Sequence, residues 1–129
     1  MIRVKATREG LVGQKTATGW VIDKETPFVA LPSAKALHKW IQITNPANGN
    51  ACRAQVLDVG PWNEHDDAYV FGGQRPASEH GEHVVYVGGK PEQRIEPEKV
   101  NKAGIDLGEK VWHLLGMTGN TDVEWEFVA

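Results

Sequence analysis

Val56-Leu57-Asp58-Val59-Gly60-Pro61 is the segment of this 129-residue sequence with the clearest structural pattern. The apolar, β-branched residues around Asp58 predict a strand that carries an aspartate to its end, and the Gly-Pro pair then turns the chain. Just upstream, Trp40–Thr44 alternates apolar and polar side chains, which predicts a second strand with one buried face. The turn-rich segment Asn45–Asn50 lies between them, so the two strands are predicted to form a hairpin.

The same kind of pattern recurs along the chain. Short apolar or β-branched runs predict strands at Trp20–Ile22, Phe28–Leu31, Trp40–Thr44, Ala54–Val59, Val84–Val87 and Val123–Val128. Many short strands around one core favour a closed barrel, because an open sheet would expose its edges. We therefore expect a mainly β protein with one domain over residues 1–129, and an insertion at about 72–103 that is its least structured part.

Helical structure is predicted near the end of the chain. Asp106-Leu107-Gly108-Glu109 has the form of a capping box, so the pattern predicts a helix after Asp106, with Asp106 as its cap. An apolar stripe at helical spacing follows: Leu107, Val111, Leu114 and Leu115. Gly116 is placed to end the helix in a left-handed turn. A second, shorter helical turn is expected within Ser33–His38.

Composition and charge restrict the class of partner. The chain is 40% hydrophobic and 24% charged, with a formal net charge of −3. A mildly acidic protein lacks the positive field that attracts duplexes, so we expect no nucleic-acid partner. No apolar run approaches the roughly 20 residues that span a bilayer, and residues 1–12 lack the pattern of a signal peptide. We expect a monomer.

Two aspartates are the candidate catalytic residues. Trp62 follows Asp58 after Val59 and the Gly-Pro turn, and an aromatic face beside a carboxyl group suits a sugar-binding site. The alternative is that Asp58 caps its own turn while Trp62 covers the core. Asp106 is either only a helix cap or a cap that also faces a cleft, where the helix field lowers its pKa.

A polar loop, Glu64–Tyr69, follows Trp62. We interpret Glu64, His65, Asp67 and Tyr69 as substrate-contacting residues at the rim of a cleft. A metal site is the alternative, but consecutive residues rarely converge on one ion without a further ligand. The sequence contains neither a phosphate-cradling glycine loop nor a Gly-x-Ser-x-Gly motif, so we expect no cofactor.

The order of the motifs resembles a known family. The motifs are Gly13-Gln-Lys-Thr16-Ala-Thr18-Gly19, Ile41-Gln-Ile-Thr-Asn45, Val56-Leu-Asp58-Val-Gly60-Pro61, Gly104-Ile105-Asp106-Leu107 and Leu115-Gly116-Met117, before a closing strand. In this order they are similar to the rare lipoprotein A-like double-psi β-barrel family, which is related in fold to expansins and family 45 endoglucanases. The resemblance implies a six-stranded double-psi barrel with one or two short helices.

The resemblance also implies a function. Family members bind cell-wall polysaccharide in a shallow groove, and some cleave it as lytic transglycosylases or hydrolases. Asp58 and Asp106 match the family's groove-floor aspartates, and Thr16 and Thr18 match its groove-lining segment. The sequence departs from the family at Val29-Ala-Leu-Pro-Ser33, where a histidine usually occurs.

Two functions therefore stay open. One is cleavage of peptidoglycan or another β-linked glycan by aspartate acid/base chemistry. The other is an expansin-like or phage-derived glycan-binding module without catalysis. If a leader or a fused domain has been removed, either would place the protein in the cell envelope or outside the cell. A barrel reused inside the cell is a more distant alternative.

Overall fold

The computed structural model describes residues 1–88, 90–94 and 100–128. Its strands are β1 (Ile2–Arg8), β2 (Phe28–Leu31), β3 (Trp40–Thr44), β4 (Ala51–Val59), β5 (His83–Val87), β6 (Lys90–Arg94), β7 (Ile105–Leu107) and β8 (Asp122–Phe127). Two short α-helices, α1 (Asp67–Val70) and α2 (Glu109–Leu114), and two 3₁₀ turns, Ala34–Ala36 and Ala77–His80, lie between them.

Six of these strands form a closed barrel in the order β1-β7-β2-β4-β3-β8. The β1–β7 and β2–β4 pairs are parallel, and the other neighbours are antiparallel. The predicted six-stranded barrel with short helices is thus confirmed; its strand pairing is mixed, and the architecture is consistent with a small double-psi barrel. The predicted hairpin is confirmed as β3–β4, joined by residues 45–50.

Alternation along the strands fills the barrel interior. In β3, Ile41 and Ile43 are fully buried, whereas Trp40, the first residue of the strand, is exposed. The interior contains mainly aliphatic side chains, including Val4, Ala6, Val29, Ile41, Ile43, Val56, Ile105, Leu107 and Val123. A second, smaller apolar cluster of Ile22, Phe28 and Leu57, with Trp20 packed against it, is separate from this interior.

The sequence-based expectations differ from the structure at several elements. Trp20–Ile22 is not a strand and contributes only an isolated bridge between Lys15 and Val21. β1 was not predicted, although it closes the barrel between β7 and β8. The 72–103 region contains a 3₁₀ turn and the β5–β6 hairpin, and its residues 89 and 95–99 lie outside the described residues.

The helix near the end also begins later than predicted. Asp106 lies in the middle of β7, where it pairs with both neighbouring strands. Gly108 takes the N-cap position without a side-chain hydrogen bond, and α2 starts at Glu109. The capping-box prediction is therefore wrong: parallel pairing with β1 holds Asp106 in a strand. The predicted end of the helix is confirmed, since Gly116 has a φ of 62°.

Candidate functional site

A row of directly paired residues crosses four neighbouring strands and contains both candidate aspartates. Ala30 of β2 pairs with Asp58 of β4 on one side and with Asp106 of β7 on the other. Asp106 in turn pairs with Thr7 of β1. Directly paired residues project from the same face of a sheet, and adjacent strands lie about 4.8 Å apart. The two aspartates therefore share a face, with Cα atoms about 10 Å apart and only the methyl group of Ala30 between them.

This row lies on the outer face of the barrel. Thr7 follows Ala6, which belongs to the buried interior, so the Thr7 side chain points the other way. A shift in register between Val29 and Ala30 skips Leu57 and brings Asp58 opposite Ala30. Such a bulge re-aims the side chains that follow it. The bulge thus gives Asp58 the same face as Asp106.

The turn after β4 passes beside Asp106. Gly60 has a φ of 142°, a backbone conformation that side chains disfavour. A Cβ atom on Gly60 would lie 3.9 Å from Asp106 Oδ2. The Gly-Pro turn therefore forms one border of the space around the Asp106 carboxyl group.

The segment between β1 and β2 lies against Asp58. Asp58 Oδ1 accepts hydrogen bonds of 2.9 Å from the backbone N–H groups of Ala17 and Val59. Thr18 Oγ1 donates to the Leu57 carbonyl at 3.4 Å, and the hydroxyl groups of Thr16 and Thr18 are 2.9 Å apart. The structure therefore brings both threonines next to Asp58, with Thr16 buried and Thr18 exposed.

Glu9 is the site residue that the sequence did not predict. It follows β1 directly, and its backbone N–H continues the ladder by donating to the Leu107 carbonyl at 2.9 Å. Its Oε2 atom is buried without a hydrogen-bond partner. The pKa of Glu9 is raised to about 9, mainly because the carboxyl group is buried. Interaction with the Asp58 carboxyl group and repulsion from Asp106 raise it further. The available sequence signal was an acidic residue near a strand end with a glycine one or two residues later: Gly10 follows Glu9 directly, and Gly60 lies two residues after Asp58.

Asp106 is the second carboxyl group with a perturbed acidity. Burial raises its pKa to about 6, and the nearby Asp58 charge acts in the same direction. The Thr7 hydroxyl donates a hydrogen bond to Asp106 Oδ1, which opposes this shift by favouring the ionised form. The expectation that a helix field lowers the pKa of Asp106 is therefore wrong.

The three carboxyl groups of Glu9, Asp58 and Asp106 form what we call the carboxyl cluster. At neutral pH the Glu9 carboxyl group keeps its proton, and Asp106 changes its charge near pH 6. Groups that hold and release protons in this range are suited to general acid/base chemistry.

Trp62 lies at the edge of this region. Its backbone N–H is close to the Gly60 turn, at 4.0 Å from the position of a Cβ there. Its half-buried indole ring contacts other residues: Nε1 donates to Asn101 Oδ1 at 2.7 Å, and the ring meets His83 edge to face at 5.4 Å. The observed contacts thus orient the indole ring toward the segments around His83 and Asn101.

The residues of the Glu64–Tyr69 loop separate into exposed and structural ones. Glu64 and His65 are exposed. Asp67 accepts hydrogen bonds from Ser33 Oγ at 2.5 Å and from Lys35 Nζ at 3.0 Å, and these partners lower its pKa. Tyr69 is 2% exposed, which leaves almost no surface for contact with a glycan.

Tyr69 instead joins separate parts of the barrel. Its hydroxyl group donates to the Gly104 carbonyl at 2.9 Å and accepts from Trp125 Nε1 at 2.9 Å. Its ring also meets the Trp125 ring edge to face.

Among residues 1–88, 90–94 and 100–128, no group of three or more His, Cys, Asp or Glu side chains is arranged to hold a metal ion. Within those ranges, too, none of the helices has the length and apolar character needed to cross a membrane.

The fold and the carboxyl cluster define a small mixed β-barrel with a buried acidic site on its outer face. Over residues 1–126 the sequence matches the model of a family described as a domain of unknown function, DUF8814, and the chain belongs to that family. No curated protein matches the sequence.

Two solved structures share the architecture. A Streptomyces papain inhibitor is 16% identical with a TM-score of 0.51, and the match covers 99% of this chain and 94% of that one. Cerato-platanin 3 from M. perniciosa is 11% identical with a TM-score of 0.53, and the match covers 99% and 95% of the two chains. At these identities the likeness concerns the fold alone.

Proposed function

We propose that the protein binds a cell-wall polysaccharide, with peptidoglycan as the first candidate, along the outer face that carries Asp58 and Asp106. A carboxyl group of the cluster then protonates the glycosidic oxygen. The observation that carries this proposal is the joint placement of Glu9, Asp58 and Asp106 with two raised pKa values. The class of glycan is supported by the sequence resemblance to rare lipoprotein A-like proteins.

The proposed chemistry uses Asp106 as the proton donor, because its raised pKa lets it both hold and release a proton close to neutral pH. Asp106, with a pKa of about 6, donates its proton to the leaving oxygen and is ionised afterwards. The resulting carboxylate, or that of Asp58, then deprotonates either a hydroxyl group of the sugar or a water molecule. The first route gives an anhydro sugar and the second gives hydrolysis.

The surrounding residues supply binding in this proposal. Thr18, Glu64 and His65 are exposed and offer polar contacts to sugar hydroxyl groups. Thr16 positions Thr18 through the hydroxyl contact of 2.9 Å. The half-buried Trp62 supplies apolar surface at the border of the same face.

A second candidate function is glycan binding without cleavage, as in an expansin-like module. One observation favours it: Asp58 Oδ1 already accepts two backbone N–H groups, which suits an aspartate that anchors the segment around Ala17. Either function fits a protein of the cell envelope or the extracellular space.

Incubation with purified peptidoglycan sacculi tests both candidates. Wild-type protein is expected to be retained on the pellet and to release soluble fragments that mass spectrometry identifies. Asp106→Asn is expected to be retained but to release fragments about 10²–10⁴-fold more slowly, while Asp122→Asn, a change at an exposed aspartate of β8, behaves like the wild type. Retention without fragments supports the binding module, and absence of retention contradicts both functions.

A further inference from the structure

An aromatic groove lies on the side of the barrel away from the carboxyl cluster. Its volume is about 870 Å³, and it is lined by Lys39, Trp40, Arg53, Phe71, Phe127 and Val128. The paired row of the carboxyl cluster runs across β4, β2, β7 and β1, whereas the groove lies mainly against β3 and β8 and includes from β4 only Arg53, near the start of that strand and five residues before Asp58. The two regions are therefore separate surfaces.

Two aromatic residues of the groove are exposed to solvent. The Trp40 side chain is 47% exposed and Phe71 is 46% exposed. Phe71 stacks on Phe127 with ring centroids 5.2 Å apart and an interplanar angle of 11°. Clustered exposed aromatic surface with a polar rim is typical of a binding site.

The rim of the groove carries two cations, Lys39 and Arg53. Neither side chain forms an ion pair with any residue in the part of the chain that the structure describes. Other arginines are paired: Arg3, Arg8 and Arg75 each bind a glutamate. On a chain with a net charge of −3, this groove is thus a local positive site.

We propose that the aromatic groove binds an apolar carboxylate, a ring-bearing organic acid of small-molecule size. The guanidinium group of Arg53 and the ammonium group of Lys39 complement the carboxylate. The rings of Trp40 and Phe71 complement the apolar body through stacking and burial. The volume of the groove falls within the range of about 300–1,000 Å³ that is typical of small-molecule sites. This site goes beyond the proposed glycan function and does not depend on it.

Calorimetric titration with naphthalene-2-carboxylate, and with the neutral analogue naphthalene-2-methanol, tests the proposal. The carboxylate is expected to bind saturably and at least about tenfold more tightly than the alcohol, because only the carboxylate forms charge-assisted hydrogen bonds. Arg53→Gln should remove most of this preference. Trp40→Ala should weaken both ligands, and Lys110→Gln, a change at an exposed lysine of α2, should alter neither.

Equal affinity for the acid and the alcohol would overturn the proposal. So would an absence of saturable binding of either compound at millimolar concentration, or an Arg53→Gln variant with unchanged selectivity. Sedimentation of the free protein as a dimer that Trp40→Ala dissociates would also overturn it, since a second copy of the chain would then be the occupant.

Discussion

The protonation of Glu9 links the folding stability of the protein to the candidate site. Its carboxyl group is buried beside Asp58, and Asp106 adds a second negative charge nearby. Because burial and like charges disfavour ionisation, the folded protein holds a proton at Glu9 that the unfolded chain releases. Perturbed acids of this kind concentrate at functional sites.

Glu9→Gln is expected to stabilise the protein at neutral and alkaline pH. With the folded pKa raised from 4.5 to about 9, wild-type stability is unaffected below about pH 4.5 and falls as the pH rises toward 9. The gain of the variant at pH 7 should be on the order of 2–3 kcal/mol. Urea unfolding at pH 5 and pH 8 measures it, with the exposed Glu64→Gln as the control. An equal gain at both pH values would contradict this explanation.

The raised pKa of Asp106 predicts a pH dependence for the proposed glycan cleavage. If Asp106 is the general acid, its protonated form is required, so the rate should fall above about pH 6. Asp58→Asn removes a charge that raises the pKa of Asp106, and any residual activity should then fall at lower pH. Fragment release from sacculi between pH 4 and 9 measures both profiles. A rate that rises through pH 6 would exclude this role for Asp106.

Asp58 and Glu9 illustrate what the sequence reveals at the scale of residues. Asp58 was predictable because an apolar strand, a glycine and a proline surround it. Glu9 was not, because its importance arises from the neighbours that the fold brings to it from β4 and β7. Tyr69 shows the converse: a polar loop suggested exposure, whereas the fold buries its ring against Trp125.

Among the elements, β7 and α2 depend on close packing at Gly108. Gly108 lies between the strand that carries Asp106 and the helix that begins at Glu109. A Cβ atom at Gly108 would come within 2.3 Å of the Phe28 ring. The missing side chain at Gly108 thus allows β2 and the start of α2 to approach each other.

Gly108→Ala is therefore expected to destabilise the fold by about 1–3 kcal/mol through overpacking against Phe28. Gly119→Ala is the matched control, because a Cβ atom there meets no atom within 4 Å. Chemical denaturation of the two variants compares them directly. Similar stabilities for both would show that Phe28 moves aside without cost.

At β7, the local sequence pattern and the long-range strand pairing favour different structures. The sequence around Asp106 matched a helix N-terminus because a capping box is a local pattern. Pairing with β1 is not local, since Thr7 and Asp106 are 99 residues apart. Tertiary pairing prevailed over the local pattern.

In the whole molecule, the closed barrel was predictable and its strand order was not. The hairpin and the closing strand followed from alternation and turn residues, and the need to cover edges favoured closure. The parallel pairs β1–β7 and β2–β4 join segments without a local signal. Those two pairs, joined by the antiparallel β2–β7 pair, bring Thr7, Asp58 and Asp106 into one row.

Tyr69 links several parts of this barrel, and Tyr69→Phe tests that role. The variant leaves the Gly104 carbonyl and Trp125 Nε1 without their partner, so a loss on the order of 2–4 kcal/mol is expected. Thermal unfolding measures the loss, and retention on sacculi below the unfolding temperature should not change. Weakened retention by a folded variant would instead give Tyr69 a part in binding.

The most direct test of the account is an NMR titration of the side-chain carboxyl carbons in the wild type and in Asp58→Asn. In the wild type, Asp106 is expected to titrate near pH 6 and Glu9 near pH 9. In Asp58→Asn the pKa values of Asp106 and Glu9 should both fall, because the Asp58 charge that raises each of them has been removed. A Glu9 carboxyl group that titrates near 4.5, or values that Asp58→Asn leaves unchanged, would contradict the existence of a joint carboxyl cluster.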